Sequence, residues 1–169
     1  MTSPSASASI WSRKLDLFYL IFFIIHIPTI LLVDAVTFLP TFLQTNIGLQ
    51  LRDFYIATYQ DKFAEAAPPW YAAFVVMELF YQTPLSIWAI PALIRDNAMV
   101  PVHLLVFGMQ VFVTTLTCLV QVWSWEDRTV AQKQSITMLY GPYLALGAFM
   151  ALDMVFRLRG RLLGKRKLA

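Results

Sequence analysis

The chain has 169 residues, of which 59% are hydrophobic and 14% charged, and its formal net charge is +3. A soluble domain carries about 25% charged residues, so this composition excludes an ordinary soluble protein and indicates that lipid is the main solvent. The surplus positive charge is gathered near one end, which argues against a nucleic-acid-binding protein. Cys118 is the single cysteine, so no intramolecular disulfide can stabilise the fold.

Four apolar runs are typical of a multi-pass membrane protein. They cover residues 17–33, 68–93, 100–125 and 136–156, the last interrupted by Gly141-Pro142. Each is close to the roughly 20 residues that a helix needs to cross a bilayer. The first run is longer than the apolar core of a signal peptide and no small-residue cleavage motif follows it, so we interpret it as a retained span. The pattern predicts an all-α, four-helix transmembrane bundle.

Composition divides the chain into three regions. Residues 1–9 are small and polar, and we expect a disordered tail there. Residues 10–160 form the four-helix transmembrane domain, and residues 161–169 form a basic cytosolic tail.

The distribution of Lys and Arg predicts that both termini face the cytosol. Four spans place both termini on one side of the membrane, and that side would carry nine cations against four on the other, as the positive-inside rule requires. The nine are Arg13, Lys14, Arg95, Arg157, Arg159, Arg161, Lys165, Arg166 and Lys167; the four are Arg52, Lys62, Arg128 and Lys133.

The segment between the first two runs, residues 34–67, is longer than an ordinary connection. Its aromatic residues Phe54, Tyr55, Tyr59 and Phe63 are spaced roughly as one helical face. This spacing predicts a short amphipathic helix over the lumenal end of the bundle. The chain has no Gly-rich phosphate loop and no paired Cys/His cluster, so we expect neither a cofactor nor a metal.

Two carboxylates are the strongest candidates for a functional site. Glu78 lies near the middle of the second run, and Gln82 lies one turn further on the same face. Asp34 lies at the end of the first run. If the two carboxyl groups meet, they would share a proton and leave one negative charge in a low-dielectric site. Such a charge, walled by rings such as those of Tyr140 and Tyr143, suits a cationic amphiphilic amine or a flat apolar molecule with one hydroxyl.

Other polar residues in the runs have structural as well as functional interpretations. His26 could line the site, or it could bond a backbone carbonyl that Pro28 leaves without a donor. Pro28 would also shape the helix that carries Asp34. Asp153 and Arg157 are spaced as an i,i+4 ion pair, which favours a structural role for both.

The order of these motifs resembles the sigma-2 receptor family. The matching stretches, between residues 13 and 160, are HIPTILLVD (26–34), PPW (68–70), ELFYQTP (78–84) and YGPY (140–143). The family consists of EXPERA-domain membrane proteins of the endoplasmic reticulum, related to the emopamil-binding sterol isomerases. The resemblance implies a four-helix transmembrane fold, a homodimer, and a lipid-accessible pocket for sterols and cationic amines.

The resemblance also implies roles for individual residues. Asp34 matches the aspartate that pairs with a ligand amine, Glu78 matches the acid beside it, and Gln82 matches a residue that lines the pocket. Asp61 matches a loop aspartate that supports the site, although this loop has one residue fewer before its tryptophan than the family has. The implied function is non-enzymatic binding of sterols or other lipids, in sterol homeostasis or transport.

The C-terminal sequence KRKLA points to the same compartment. Lys167 is third and Lys165 fifth from the end of the sequence, a spacing that looks like the lysine-based retrieval signal of endoplasmic-reticulum membrane proteins. Such a signal works on a cytosolic tail, which is where the charge distribution places this one. A basic tail lying on anionic lipid is the compatible alternative.

Two other functions remain open at this stage. The isomerase resemblance implies a histidine four residues before Glu78, where this chain has Phe74, and an asparagine in the last catalytic helix, whereas asparagine occurs only at 46 and 97. We therefore expect no enzyme activity. The second alternative is a scaffold for another membrane protein, such as a sterol transporter, packed against small residues of the fourth helix. These residues are Gly141, Ala145, Gly147, Ala148 and Ala151, and packing within the protein is the interpretation that we prefer for them.

Overall fold

The computed structural model describes residues 9–166, and side chains as far as residue 164. Every regular element within these residues is helical. In chain order the helices are α1 (Lys14–Asp34), α2 (Asn46–Tyr59), α3 (Lys62–Glu65), α4 (Pro69–Ile94), α5 (Val100–Ser124) and α6 (Val130–Arg166). A 3-10 turn, Thr41–Leu43, precedes α2.

Four of the six helices, α1, α4, α5 and α6, are long and apolar enough to cross a membrane. The predicted all-α class with four membrane spans is confirmed. The last helix, α6, runs through Gly141-Pro142 without a break and continues to Arg166. A membrane helix tolerates an internal proline, since local adjustment re-satisfies the freed carbonyl. Residues 161–166 therefore continue the last helix, and the boundary at residue 160 stays a prediction.

The chain is organised as two compact units. The first combines the chain up to Leu49 with Val75–Val100, and the second combines Gln50–Phe74 with the chain from Pro101 onward.

In the first unit, α1 packs along the second half of α4. The buried rings of Tyr19 and Phe23 and the buried side chain of Leu93 belong to its core. The Arg13 guanidinium donates to the backbone oxygens of Leu93 at 2.7 Å and Ile94 at 3.2 Å. It thereby adds a donor at the C-terminal end of α4, where the Leu93 oxygen also accepts from the Asp96 N–H at 3.3 Å.

In the second unit, α5 and α6 cross at two glycines. A Cβ atom on Gly147 would lie 2.8 Å from the Phe112 nitrogen and 2.9 Å from the Gly108 oxygen. A Cβ atom on Gly108 would lie 2.9 Å from the backbone nitrogen of Ala151. The absence of these side chains lets the two backbones touch, as small residues do in membrane helix pairs. Gly147 and Ala151 of the small-residue row thus have an intramolecular partner.

We expect Gly147→Ala to destabilise the protein by about 1–3 kcal/mol, because the new methyl group meets rigid backbone. Gly141→Ala in the same helix is the matched control, since nothing lies within 4 Å of the point that its new methyl group would occupy. That change should be neutral or stabilising by up to about 1 kcal/mol. Thermal unfolding of both variants in detergent measures the difference, and equal midpoints would contradict the close crossing.

The segment between α1 and α4 contains two helices where the aromatic pattern predicted one. Helix α2 ends at Tyr59, and Gln60 adopts a φ of 53°. A non-glycine residue with positive φ marks a turn, and it redirects the chain into α3. Phe63 therefore lies on a different helix from Tyr55 and Tyr59, and Phe54 points away from the protein with 64% of its surface exposed.

Candidate functional site

Two π-helical turns of the first unit contact each other. Ile30–Asp34 forms the last turn of α1, and Glu78–Gln82 forms a turn in the middle of α4. A π-turn adds one residue to the helical repeat, so it changes the direction of the side chains that follow. The two candidate carboxylates, Asp34 and Glu78, both belong to these turns.

Hydrogen bonds hold both turns in this geometry. The Ala35 N–H donates to the Ile30 oxygen at 2.8 Å, which is the i→i−5 bond of a π-turn. In α4 the Thr83 hydroxyl donates to the Glu78 oxygen at 2.9 Å. Pro28 lies two residues before the first turn and lies inside α1 without ending it.

Asp34 and Glu78 lie close enough to interact electrostatically. Both side chains are half-buried. The prediction that these two acids share one proton and leave one net negative charge therefore concerns residues that are neighbours in the fold. The geometry therefore brings together the two residues that the sequence singled out, and their role in ligand binding stays a prediction.

His26 and Gln82 form a second pair of polar side chains between α1 and α4. The His26 ring nitrogen Nε2 lies 3.3 Å from Gln82 Oε1, with both side chains buried, and the N–H is assigned as the donor. The His26 ring also stacks on Phe22, with ring centroids 4.8 Å apart. The Ser86 hydroxyl donates to the backbone oxygen of Gln82 at 2.6 Å. His26 is thus positioned by a side chain of α4.

Asp61 of the second unit is fully buried and accepts three hydrogen bonds. Its Oδ2 accepts from the hydroxyls of Tyr55 at 2.8 Å and Tyr140 at 2.9 Å. Its Oδ1 accepts from the Phe63 N–H at 2.9 Å, which makes Asp61 the N-cap of α3. The Tyr140 hydroxyl, predicted to face a ligand, is bonded to this carboxylate. Tyr143 lies half-buried one turn further along α6.

An aromatic cluster surrounds Phe63, next to Asp61. The Phe63 ring stacks on Tyr71 at 4.6 Å and meets the rings of Trp70 at 5.4 Å and Trp125 at 5.1 Å edge-on. These contacts join α3 to the start of α4 and the end of α5. The sequence showed that the segment before α4 is rich in aromatic residues. It did not indicate that Phe63 lies at the centre of a buried cluster.

Two ion pairs connect α3 to the loop that follows α5. Arg128 donates to both carboxylate oxygens of Glu65, at 2.7 and 2.8 Å, and to the backbone oxygen of Gln60 at 2.8 Å. Lys62 donates to Asp127 at 2.9 Å. Arg128 thus bonds through Nη2 to the last residue of α3 and through Nε to Gln60 before α3, and it thereby holds the loop after α5 against α3.

The remaining predicted residues have structural or undescribed positions. Asp153 and Arg157 form the expected ion pair in α6, at 2.9 Å. Lys165 lies in the last turn of α6, where side chains are not described, and Lys167 lies outside the described residues. Within residues 9–166, no group of three His, Cys, Asp or Glu side chains could hold a metal ion.

Asp61 predicts a pH effect on stability. Burial raises the pKa of its carboxyl above the ordinary 3.8, and the bonds from Tyr55, Phe63 and Tyr140 offset this only in part. A carboxyl with a higher pKa in the folded state contributes stability that is complete below the unfolded value and is lost as pH rises through the folded value. We expect the stability of the wild type relative to Asp61→Asn to fall as pH increases from 3.5. Unfolding curves of both proteins across pH measure this, and a flat difference would contradict it.

Comparison with known proteins places these residues in a family. The family model EXPERA (EXPanded EBP superfamily) matches residues 47–154. Efficient mitochondria targeting-associated protein 19 of Schizosaccharomyces pombe is 34% identical over 149 residues, which cover 85% of this chain and 76% of the relative. The Saccharomyces cerevisiae protein of the same name is 30% identical over 61% of this chain and 68% of its own. Sigma intracellular receptor 2 of Xenopus tropicalis is 27% identical over 94% of this chain and 98% of its own.

Proposed function

This chain belongs to the EXPERA family of membrane proteins, related to the sigma-2 receptor, and we propose that it is a non-enzymatic receptor for sterols or similar lipids and for cationic amphiphilic amines. The single observation that carries this proposal is the meeting of Asp34 and Glu78 at two contacting π-turns. Output in sterol homeostasis or transport, and assembly as a homodimer, belong to the same proposal.

The carboxylate pair supports the choice of an amine as ligand. One shared negative charge inside apolar helices lacks the solvation that water would give it, so a ligand ammonium would form a strong ion pair there. The apolar body of an amphiphile would then lie among the surrounding side chains and the lipid. A ligand without charge would need a hydroxyl to meet the same acids.

The buried pair of His26 and Gln82 supports the sterol part of the proposal. A sterol offers one hydroxyl, which both donates and accepts a hydrogen bond. His26 and Gln82 supply a hydrogen-bond donor and an acceptor for such a hydroxyl. They lie within about two helical turns of Asp34 and Glu78 along α1 and α4. Pro28 would support the site by shaping α1.

The direct test is equilibrium binding of a tritiated cationic amphiphile to the purified full-length protein in lipid nanodiscs. We expect saturable binding that cholesterol or ergosterol displaces. Saturable amine binding that sterols leave unchanged would restrict the receptor to amines. Absence of saturable binding in a sample that unfolds cooperatively would refute the receptor function and would leave the family membership intact.

We propose the endoplasmic-reticulum membrane as the location, with both termini cytosolic. The KRKLA sequence, with Lys165 and Lys167, supports retrieval to this compartment. Replacing both lysines by alanine should allow a fraction of the protein to leave the endoplasmic reticulum for membranes further along the secretory pathway. Imaging against an endoplasmic-reticulum marker tests this, and unchanged retention would exclude these lysines as the signal.

A role in efficient mitochondria targeting is the second candidate function. Its support is the name and the 34% identity of the Schizosaccharomyces pombe relative. In this role the chain would act as a scaffold for membrane or precursor proteins. The test is rescue of mitochondrial targeting in a strain without that relative. Rescue by an Asp34→Asn/Glu78→Gln variant would favour the scaffold, and rescue by the unmodified chain alone would tie targeting to the carboxylate pair.

Sterol isomerase activity has less support, because the chain has Phe74 where the resemblance implies a histidine. Phe74 packs edge-on against Trp70, with ring centroids 5.4 Å apart, so this position contributes to the aromatic cluster. A ring without a titratable group cannot transfer a proton. Complementation of a strain that lacks the sterol isomerase tests the point, and growth would restore the enzyme hypothesis.

A further inference from the structure

Helix α2 lies outside the four spans and has an apolar face that no described residue covers. Ile47, Leu51 and Phe54 are 65%, 41% and 64% exposed. At 100° per residue these three side chains lie within about 60° of one another around the helix axis. The preceding 3-10 turn adds Phe42 and Leu43, which are also exposed.

The other two faces of α2 have a different character. One face packs on protein through the buried Gly48 and through Tyr55, whose hydroxyl bonds Asp61. The face on the other side of the apolar residues carries the exposed side chains of Gln50 and Asp53. The apolar face therefore lies between a protein-facing side and a polar side, each about 80–100° away around the axis.

Each end of α2 is anchored where a membrane span begins or ends. At its start, a Cβ atom on Gly48 would lie 3.2 Å from the Leu32 oxygen and 2.9 Å from Val36. Leu32 is two residues from the end of α1, which at 1.5 Å per residue is about 3 Å from the end of the span. At its other end, Tyr59 packs against the cluster that Phe63 forms at the start of α4 and the end of α5.

We propose that α2 is a membrane-interfacial helix whose Ile47, Leu51 and Phe54 face inserts into the hydrocarbon of the leaflet in which α1 ends. The lipid is the occupant because Gly48, in the first turn of α2, lies against Leu32, about 3 Å from the end of the α1 span, so α2 begins at the depth where that span ends. A polar face next to an apolar face of three large side chains is the pattern by which helices lie in the plane of a bilayer surface. Water against these side chains would leave an apolar patch of the kind that soluble surfaces avoid.

The test places an environment-sensitive fluorophore on two neighbouring residues that the proposal assigns to different solvents. Phe54→Cys and Asp53→Cys are labelled separately with a nitrobenzoxadiazole maleimide in the full-length protein, reconstituted in phosphatidylcholine liposomes. Cys118 is buried, and the unsubstituted protein supplies the labelling blank. Leu51→Cys is a second position on the apolar face, and unfolding midpoints confirm that each labelled protein is folded.

We expect the label at 54 to be quenched by lipid carrying a spin label near the headgroup at least about 3-fold more than the label at 53. Aqueous iodide should quench the two labels in the opposite order. The label at 51 should behave like the label at 54. Equal iodide quenching at all three positions, with no effect of the spin-labelled lipid, would overturn the proposal and assign the face to a protein partner absent from the liposomes.

Discussion

Replacing Asp34 by asparagine, or Glu78 by glutamine, is expected to weaken binding of a cationic amphiphile at least about 30-fold. The pair at risk is the one between the ligand ammonium and the carboxylate. Loss of one partner of such a buried pair costs about 2–5 kcal/mol of binding free energy, and each 1.4 kcal/mol is a factor of ten in affinity. The two carboxyl groups interact within apolar helices, so little water is available to replace the lost partner. Radioligand saturation binding in nanodiscs measures the effect directly.

The double variant Asp34→Asn/Glu78→Gln distinguishes a pair that acts as a unit from two independent acids. If the two carboxylates share one charge, the double variant should bind about as weakly as the weaker single variant. Independent acids would give additive losses of binding free energy. Asp153→Asn is the matched control, because Asp153 and its ion-pair partner Arg157 both belong to α6 and neither belongs to the two π-turns. Unchanged affinity in both single variants would remove the carboxylate pair from the site.

Replacing Phe63 by alanine is expected to destabilise the protein by about 3–5 kcal/mol. Phe63 is 3% exposed, and its ring contacts Tyr71, Trp70 and Trp125. Truncation would leave a cavity at the junction of three helices, where surrounding rings have few ways to collapse. The loss is comparable with the lower end of the total stability of natural domains, about 5 kcal/mol.

Denaturant unfolding followed by tryptophan fluorescence measures the Phe63→Ala effect, because Trp70 and Trp125 report on this cluster. Phe156→Ala is the control: that ring is 66% exposed on α6, and its loss should change stability by about 0.5 kcal/mol or less in detergent. Equal effects of the two substitutions would show that the cluster does not stabilise the fold.

Much of the architecture is readable from the amino-acid pattern. Apolar runs of near-membrane length predicted the four spans because a bilayer imposes that length on any helix that crosses it. The candidate carboxylates were visible for a related reason. An ionisable group such as Glu78 is costly among apolar residues, so its presence indicates a role.

The spatial partners of individual residues could not be predicted from the sequence in the same way. Asp61 is bonded by Tyr55, six positions away, and by Tyr140, 79 positions away. The sequence marked Tyr55 as part of an aromatic face and Tyr140 as a ring of the candidate site, but nothing local in it indicates that both bond Asp61. The same holds for the crossing of Gly108 and Gly147, since a row of small residues shows that backbones can approach but not which helix approaches.

The amino-acid sequence by itself determined the number of spans, their approximate limits and the two acids that stand out in them. Those features depend on transfer free energies between water and lipid, which act residue by residue. Only the tertiary structure decided that Asp34 and Glu78 meet, that two helices replace one before α4, and which face of α2 is left exposed. These features depend on π-turns, on a positive φ at Gln60 and on contacts between segments that are distant in the chain. The helical or hydrophobic preference of a single residue does not predict any of them.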